Sequence, residues 1–303
     1  MGRYYLNGLD LAKYGFVPGH ASNSNIALSG AWSLPKRLGD CYYEWPKMDG
    51  VEPFVDAEDI RFAGRDLELH GAIRGKNRDE FLINLSELHN ALRDLSASDL
   101  VVLKTDDFGN YNVLVKDIIK TTYLGDGVGN IVIKLREPVV DLSGEMPVGR
   151  STTGNRIDGI LLSDIGLLVS EHSGIDDRPA IKNQNFTEWQ HEGFQVTPPK
   201  ARTLEFKMAV SAMNYEDFRF KVGQYYRLFG GAGIRYITIN DETEALFAIN
   251  GFTISDIVIQ EGVTAIMKIK MIDGYILNEH ILCDDDTDVA IGENDDLIIA
   301  YYE

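Results

Sequence analysis

One stretch of the chain is written twice. RDLELHGAIRGKNRDEFLINLSEL begins at Arg65, and RTLEFKMAVSAMNYEDFRFKVGQY begins at Arg202. Arg65 aligns with Arg202, Leu67 with Leu204, Glu68 with Glu205, Asn77 with Asn214 and Phe81 with Phe218, at a constant offset of 137 (202 − 65) and without a gap. A shorter pair opens each half: LNGLDLAKYGFVPG from Leu6 and IDGILLSDIGLLVS from Ile157, with Gly8 over Gly159, Leu11 over Leu162 and Gly15 over Gly166. Downstream, YNVLVKD from Tyr111 aligns with ALFAING from Ala245, and NIVIKLR from Asn130 with AIMKIKM from Ala265. The offset changes only between matched segments, where loops absorb insertions. The chain is therefore expected to fold as two copies of one supersecondary unit, which its 303 residues suit.

Each copy reads as strands, one helix and more strands. DLELHGAIR and TLEFKMAVS place apolar residues at alternate positions, the strand period. Phe81, Leu85, Leu88 and Leu92 then fall at helical spacing, as do Phe218, Val222, Tyr225 and Phe229, giving each helix one apolar stripe. Asn77 with Glu80 and Asn214 with Asp217 read as N-terminal caps. Gly230 and Gly231 are expected to end the second helix through a left-handed turn. β-branched, alternating runs close each copy, with turns such as DDFGN and DGVGN between them.

The boundaries that follow are 1–137 for the first repeat, 138–156 for a linker, 157–282 for the second repeat and 283–303 for an acidic tail. A short strand is expected at Val139–Leu142 in the linker, and a terminal one at Leu297–Tyr302. Trp45 in EWPKMDG and Trp189 in EWQHEG sit at roughly matched points and read as core or loop anchors.

Spaced chemistry is missing. His20, His70, His89, His172, His191 and His280 form no HxxxH or HxH pair, and two distant cysteines, Cys41 and Cys283, give no zinc spacing. Both cysteines read as free thiols of a reducing cytoplasm. GGAGIRY at Gly230 follows a helix and precedes a strand, the reverse of a phosphate loop. DDDTD at Asp284 fails as a calcium loop, with Val289 where glycine must stand and Asp295 where a bidentate Glu belongs. No catalytic, cofactor-binding or metal-binding residue is assigned, and the chain is expected not to be an enzyme and to need no cofactor.

The formal net charge is −18, and ten acids fall within 271–303, where no Lys or Arg follows Lys270. This balance argues against gripping nucleic acid, because neutralising phosphate takes clustered Lys and Arg. No apolar run approaches the roughly 20 residues that a membrane-crossing helix needs. MGRYYLNGLDLAKYG lacks a basic region followed by an apolar core, so neither a signal peptide nor a membrane partner is expected.

The NGLDL…YG opening, the WP…G turn, the R-x-L-x-L strand, the capped helix and the closing strands resemble the tail-tube-like domain of bacteriophage tail proteins, in particular the distal tail protein and the baseplate or tail-tip hub family. The resemblance covers about 1–137 and 157–282. It implies a fold that is mainly β with one helix per repeat: two tandem tail-tube-like antiparallel β-barrel or sandwich domains related by internal duplication. It also implies a structural ring component of a phage or prophage tail, made in the bacterial cytoplasm and located in the virion tail. Such a ring surrounds the DNA channel and joins tail tube to tail tip. The implied partners are further copies of itself (a trimeric pseudo-hexamer, or a hexamer), the tail tube and tail-tip proteins, and DNA only as passing cargo. The other reading of the residues is a two-module β-rich binding protein for a carbohydrate or cell-surface ligand. The copies also diverge: Lys76–Arg78 becomes Met213–Tyr215.

Overall fold

A computed structural model of the chain describes residues 3–45, 50–96, 100–116, 119–175, 177, 180, 184–188, 191–195, 200–274, 282–283, 288–293 and 296–301; for 184–188, 191–195 and all residues from 282 it describes the backbone alone. The first half runs β1 (Tyr4–Leu6), β2 (Leu9–Asp10), β3 (Phe16–Pro18), β4 (Leu28–Ser29), β5 (Tyr42–Tyr43), β6 (Glu52–Pro53), β7 (Arg65–Arg74), α1 (Arg78–Ser96), β8 (Val101–Thr105), β9 (Gly109–Val115), β10 (Lys120–Gly125) and β11 (Val128–Glu137). The second half runs β12 (Arg156–Ile157), β13 (Ile160–Leu161), β14 (Leu167–Ser173), β15 (Gln184–Glu188), β16 (His191–Gln195), β17 (Thr203–Ala212), α2 (Tyr215–Gly230), β18 (Arg235–Ile239), β19 (Glu242–Phe247), β20 (Phe252–Ile259) and β21 (Val263–Asp273). β22 (Leu282–Cys283), β23 (Asp288–Glu293) and β24 (Asp296–Tyr301) form a separate antiparallel sheet. The chain is mainly β with two helices.

The two large sheets order their strands alike. The first runs β2-β1-β8-β9-β11-β7-β3, with β10 beside β11 and β4 beside β7; the second runs β13-β12-β18-β19-β21-β17-β14, with β20 beside β21. Their registers agree residue by residue. Leu6 faces Leu103 where Ile157 faces Ile237. Phe16 faces Ile73 where Leu167 faces Val210. Leu67 faces Leu135 where Leu204 faces Met271.

The ladders also correct two of the alignments. Leu103 faces Tyr111 and Ile237 faces Glu244, so Tyr111 corresponds to Glu244, not to Ala245. Ile131 faces Gly71 and Met267 faces Met208, so Ile131 corresponds to Met267, not to Ile266. A one-residue slip sends every side chain to the opposite face of a strand. The corrected register places buried Val113 over buried Leu246 and buried Ile131 over buried Met267.

One edge differs between the halves. β14 is a single strand along β17, from Leu167 opposite Val210 to Ser173 opposite Glu205, with one bulge at Ser170. In the first half β3 and β4 share that place, opposite Ile73–Gly71 and Leu69–Glu68 of β7. Between them the chain departs after Pro18 and returns at Leu28.

Both helices lay their apolar stripes on the sheets. Phe81, Leu88 and Leu92 are buried with Leu85 packed beside them, and Phe218, Val222, Tyr225 and Phe229 are all buried. Both caps form. The amide of Glu80 donates to Oδ1 of Asn77 and that of Asp217 to Oδ1 of Asn214, each at 2.9 Å. Glu80 and Asp217 accept in return from the amides of Lys76 and Met213.

Two expectations about local structure are overturned. Gly231 leaves α2 in an extended conformation (φ −66°, ψ 161°), not a left-handed one. Arg37 takes the place of that turn: its Nη2 donates to the carbonyls of Phe229 and Gly231, which the helix end leaves without partners. No strand forms at Val139–Leu142. There the backbone turns so that Asp141 accepts from the amide of Ser143 and Leu142 packs on the core. Of the expected terminal strand, residues 297–301 lie in β24, and Tyr302 lies outside the described residues.

Candidate functional site

The two halves meet through the segment 19–64 of the first, which reaches across to β20 of the second. Trp32, only 3% exposed, sits among Phe108 of the first half and Tyr215 and Phe218 of the second, with ring centroids at 6.0–6.3 Å in edge-on geometry. Its Nε1 donates to the Tyr215 hydroxyl at 3.3 Å, which in turn donates to the Phe108 carbonyl. Each such aromatic pair adds about 0.5–1.5 kcal/mol beyond the area it buries. The divergent Tyr215 therefore falls on the junction. It also separates two matched residues: Phe81 packs against Tyr123 of its own half, whereas Phe218 packs against Trp32 of the other.

Arg65 is the polar centre of the junction. Its Nε donates to Glu137 at 2.6 Å, and its Nη1 donates to the Ser33 carbonyl and to the Tyr226 hydroxyl. Burial pulls its guanidinium down, but Tyr226 and Glu137 outweigh burial and the net shift is upward. Arg65 therefore stays charged. Burial pushes Tyr111, Tyr215, Tyr225 and Tyr226 above the ordinary tyrosine range. Further out, Arg37 stacks over the ring of Phe247, 4.8 Å from its centroid, and Cys41 and Val51 pack on Phe247 and Ile272.

Loop 21–36 covers the outer edge of β20. The amide of Asn25 donates to the Ile257 carbonyl, and its side chain both donates to and accepts from the backbone of Ile259. Ser24 and Ser33 accept from the amides of Ile257 and Ile254, and the amide of Leu34 donates to the Phe252 carbonyl. The approach is close: a Cβ on Gly251 would fall 1.7 Å from the Leu34 carbonyl oxygen, so only glycine fits there.

The outward faces of the long strands carry matched charge ladders. Lys134 pairs with Glu68 in the first half and Lys270 with Glu205 in the second. Asp66 holds Lys116 and Arg136, and Glu171 holds Lys207. Grooves of 640 and 550 Å³ run along these faces and share Thr253. The basic groups named are each paired with a carboxylate, Lys116 and Arg136 sharing Asp66, so as a phosphate-binding surface this face is weak.

Among the described residues, no group of three or more His, Cys, Asp or Glu could hold a metal ion. Asp284–Asp286 lie outside the described residues, and Asp288 is described by its backbone alone. Cys41 is a free, buried thiol. No helix among the described residues is long and apolar enough to cross a membrane. Trp45 stands on the β5–β6 hairpin, 43% exposed, its ring edge-on to Tyr43 and its Nε1 donating to Glu52, so it holds the loop and is not a core residue; Trp189 lies outside the described residues. The tryptophan that anchors the core is Trp32. The sequence reading missed it together with Arg37, and gave Arg65 no role beyond its match to Arg202. The available signal was that the segment 19–64 has no clear copy in the second half.

No protein-family model matches the chain, and no curated protein matches it. Among solved structures it is similar to the SPP1 Dit protein (gp 19.1), described as a paradigm of the hub adsorption apparatus in phages infecting Gram-positive hosts. The identity is 13% and the TM-score 0.35, over 89% of this chain and 99% of that one. A superposition that loose does not set the fold of this chain.

Proposed function

We propose that the chain is a structural ring component of a phage or prophage tail, of the distal tail or baseplate-hub kind, with no catalytic activity. One observation carries the reading: two sheets of the same strand order, each with one capped helix, occur in a single chain. In this reading they are duplicated domains, bounded at 1–137 and 157–282, with 138–156 as linker and 283–303 as tail. The sequence resemblance to tail-tube-like domains supplies the context.

A tail tube of six-fold symmetry needs six similar domains around its axis. Six single-domain chains meet that need, and so do three chains of two domains each. We therefore assign a pseudo-hexameric ring of three chains, seated between tail tube and tail tip, through which DNA passes. The paired charges of the ladders suit a wall that must not retain phosphate. Light scattering and electron micrographs of the purified protein test the assignment. A closed ring of three 33.9 kDa chains is expected. A stable dimer, or a reconstructed tail with six chains in this ring, overturns it.

A further inference from the structure

We propose that the contact between chains is made by the outer edge of β10 in one copy and the outer edge of β14 in the next. The proposal rests on the ring reading and names the surfaces that close it. Its starting point is the junction already formed within the chain. There the β3/β4 end of the first sheet, with its loop, meets the β20 edge of the second. In the shared strand order, β10 is the counterpart of β20, and β14 is the counterpart of β3 and β4. Each chain thus holds one completed junction and keeps one unpaired edge at either end: β10, the equivalent of β20, and β14, which stands where β3 and β4 stand but without the loop between them.

Both edges look unfinished among the described residues. At β20, Ser33 satisfies the amide of Ile254. At the corresponding place on β10, Thr121 buries its hydroxyl with no hydrogen-bond partner. Beside it Tyr123 and Leu124 are 47% and 60% exposed. β10 hydrogen-bonds along one side only, to β11. On β14, six of the seven residues pair with β17, with a bulge at Ser170; no described strand pairs with its other edge, and Leu168 is 66% exposed. Bare strand edges of this kind invite pairing with another chain. Because the two surfaces differ, the contact is heterologous, and it must close into a ring or run on as a filament.

Leu124→Cys and Leu168→Cys, each made with Cys41→Ala and Cys283→Ala, test this with a short bismaleimide cross-linker. Circular dichroism of each variant confirms that it has folded. Mixing the two variants is expected to give covalent dimers, while neither variant alone gives them. In the unmodified protein, Leu124→Lys is expected to weaken association at least about ten-fold in sedimentation, equivalent to about 1.4 kcal/mol. Cross-linking of either variant to itself overturns the proposal, because the contact is then isologous. Rings of three chains that form equally well with Leu124→Lys, and an unlinked mixture, overturn it and leave the ring reading standing. A protein that stays monomeric and unlinked at every concentration overturns this self-contact, whereas a stable dimer overturns the ring reading as well.

Discussion

Arg65 and Tyr226 meet across the junction of the two halves, the guanidinium Nη1 donating to the tyrosine hydroxyl at 2.8 Å. Arg202, the counterpart of Arg65 in the second half, makes the same kind of ion pair, with Asp273 and Glu244, but nearer to water. Its side chain is 20% exposed against 7% for Arg65. Removing one partner of a buried pair leaves an uncompensated charge and costs about 3–5 kcal/mol. Arg65→Ala is therefore expected to lose that much in denaturant unfolding, by stranding Glu137. Arg202→Ala should lose about 1 kcal/mol, in line with more exposed pairs. Equal losses at the two positions would show that burial at the junction is not what separates them.

Trp32→Ala should both weaken the protein and uncouple its halves. Truncating a buried tryptophan costs about 3–5 kcal/mol, and this one touches Tyr215 and Phe218 across the junction. Calorimetry is expected to show one transition in the unmodified protein resolving into two in the variant. Trp45→Ala, at an exposed hairpin, should change stability by less than about 1 kcal/mol. A variant at Trp32 that still melts as one unit would place the coupling elsewhere in the strap.

What the sequence made legible follows from what repetition and periodicity record. Strand alternation at Leu67 and Leu204, the stripe from Phe218 to Phe229 and the two asparagine caps are local patterns, and each formed as read. Short alternating runs were misaligned by one residue at Tyr111 and Ile131, because hydrophobic pattern without ladder pairing leaves register loose. The end of α2 was misread because its terminal carbonyls are satisfied by Arg37, 192 residues away from Phe229 in sequence. The junction was invisible for the same reason: Trp32 and Tyr226 belong to no motif, Arg65 was read only as the first residue of a repeated strand, and the three come together only through the fold. A repeat alignment marks the segment 19–64 only as a stretch without a clear copy, and does not say what that stretch touches.

The glycines at the start of each half separate two kinds of constraint. Gly15 and Gly166 have φ of 69° and 72°, and a Cβ on either would lie 2.3 Å from a carbonyl oxygen, of Arg74 and Ser211 respectively. Gly8 and Gly159 have φ of 81° and 80° with nothing within 4 Å. Alanine at Gly8 or Gly159 meets only the left-handed backbone penalty, about 1–2 kcal/mol. Alanine at Gly15 or Gly166 must also push the strand away, so both should cost more, and by similar amounts. Thermal melts of the four variants check the order. A tolerated Gly166→Ala beside a damaging Gly15→Ala would mean that the two turns are not held alike.

Alkaline unfolding should begin at the buried tyrosines. Burial raises Tyr111, Tyr215, Tyr225 and Tyr226 above the ordinary value of 10.0, because their phenolate forms cannot be solvated inside the protein. A group whose value is higher folded than unfolded gives its full stability below the unfolded value. That stability is lost as pH rises through the interval up to the folded value. These four groups therefore leave stability unchanged between pH 7 and 9 and make it fall above about pH 10, by about 1.4 kcal/mol for each unit that a given group is raised. Absorbance at 295 nm during alkaline titration should show two populations among the 14 tyrosines. The buried set should ionise only together with the loss of β circular dichroism. Tyr225→Phe removes one raised group together with its hydrogen bond to the Ile165 carbonyl, so it should lower stability at pH 7 and yet flatten the decline above pH 10. Tyrosine ionisation that runs to completion while the circular dichroism stays native would show that the junction admits water and that burial does not govern these groups.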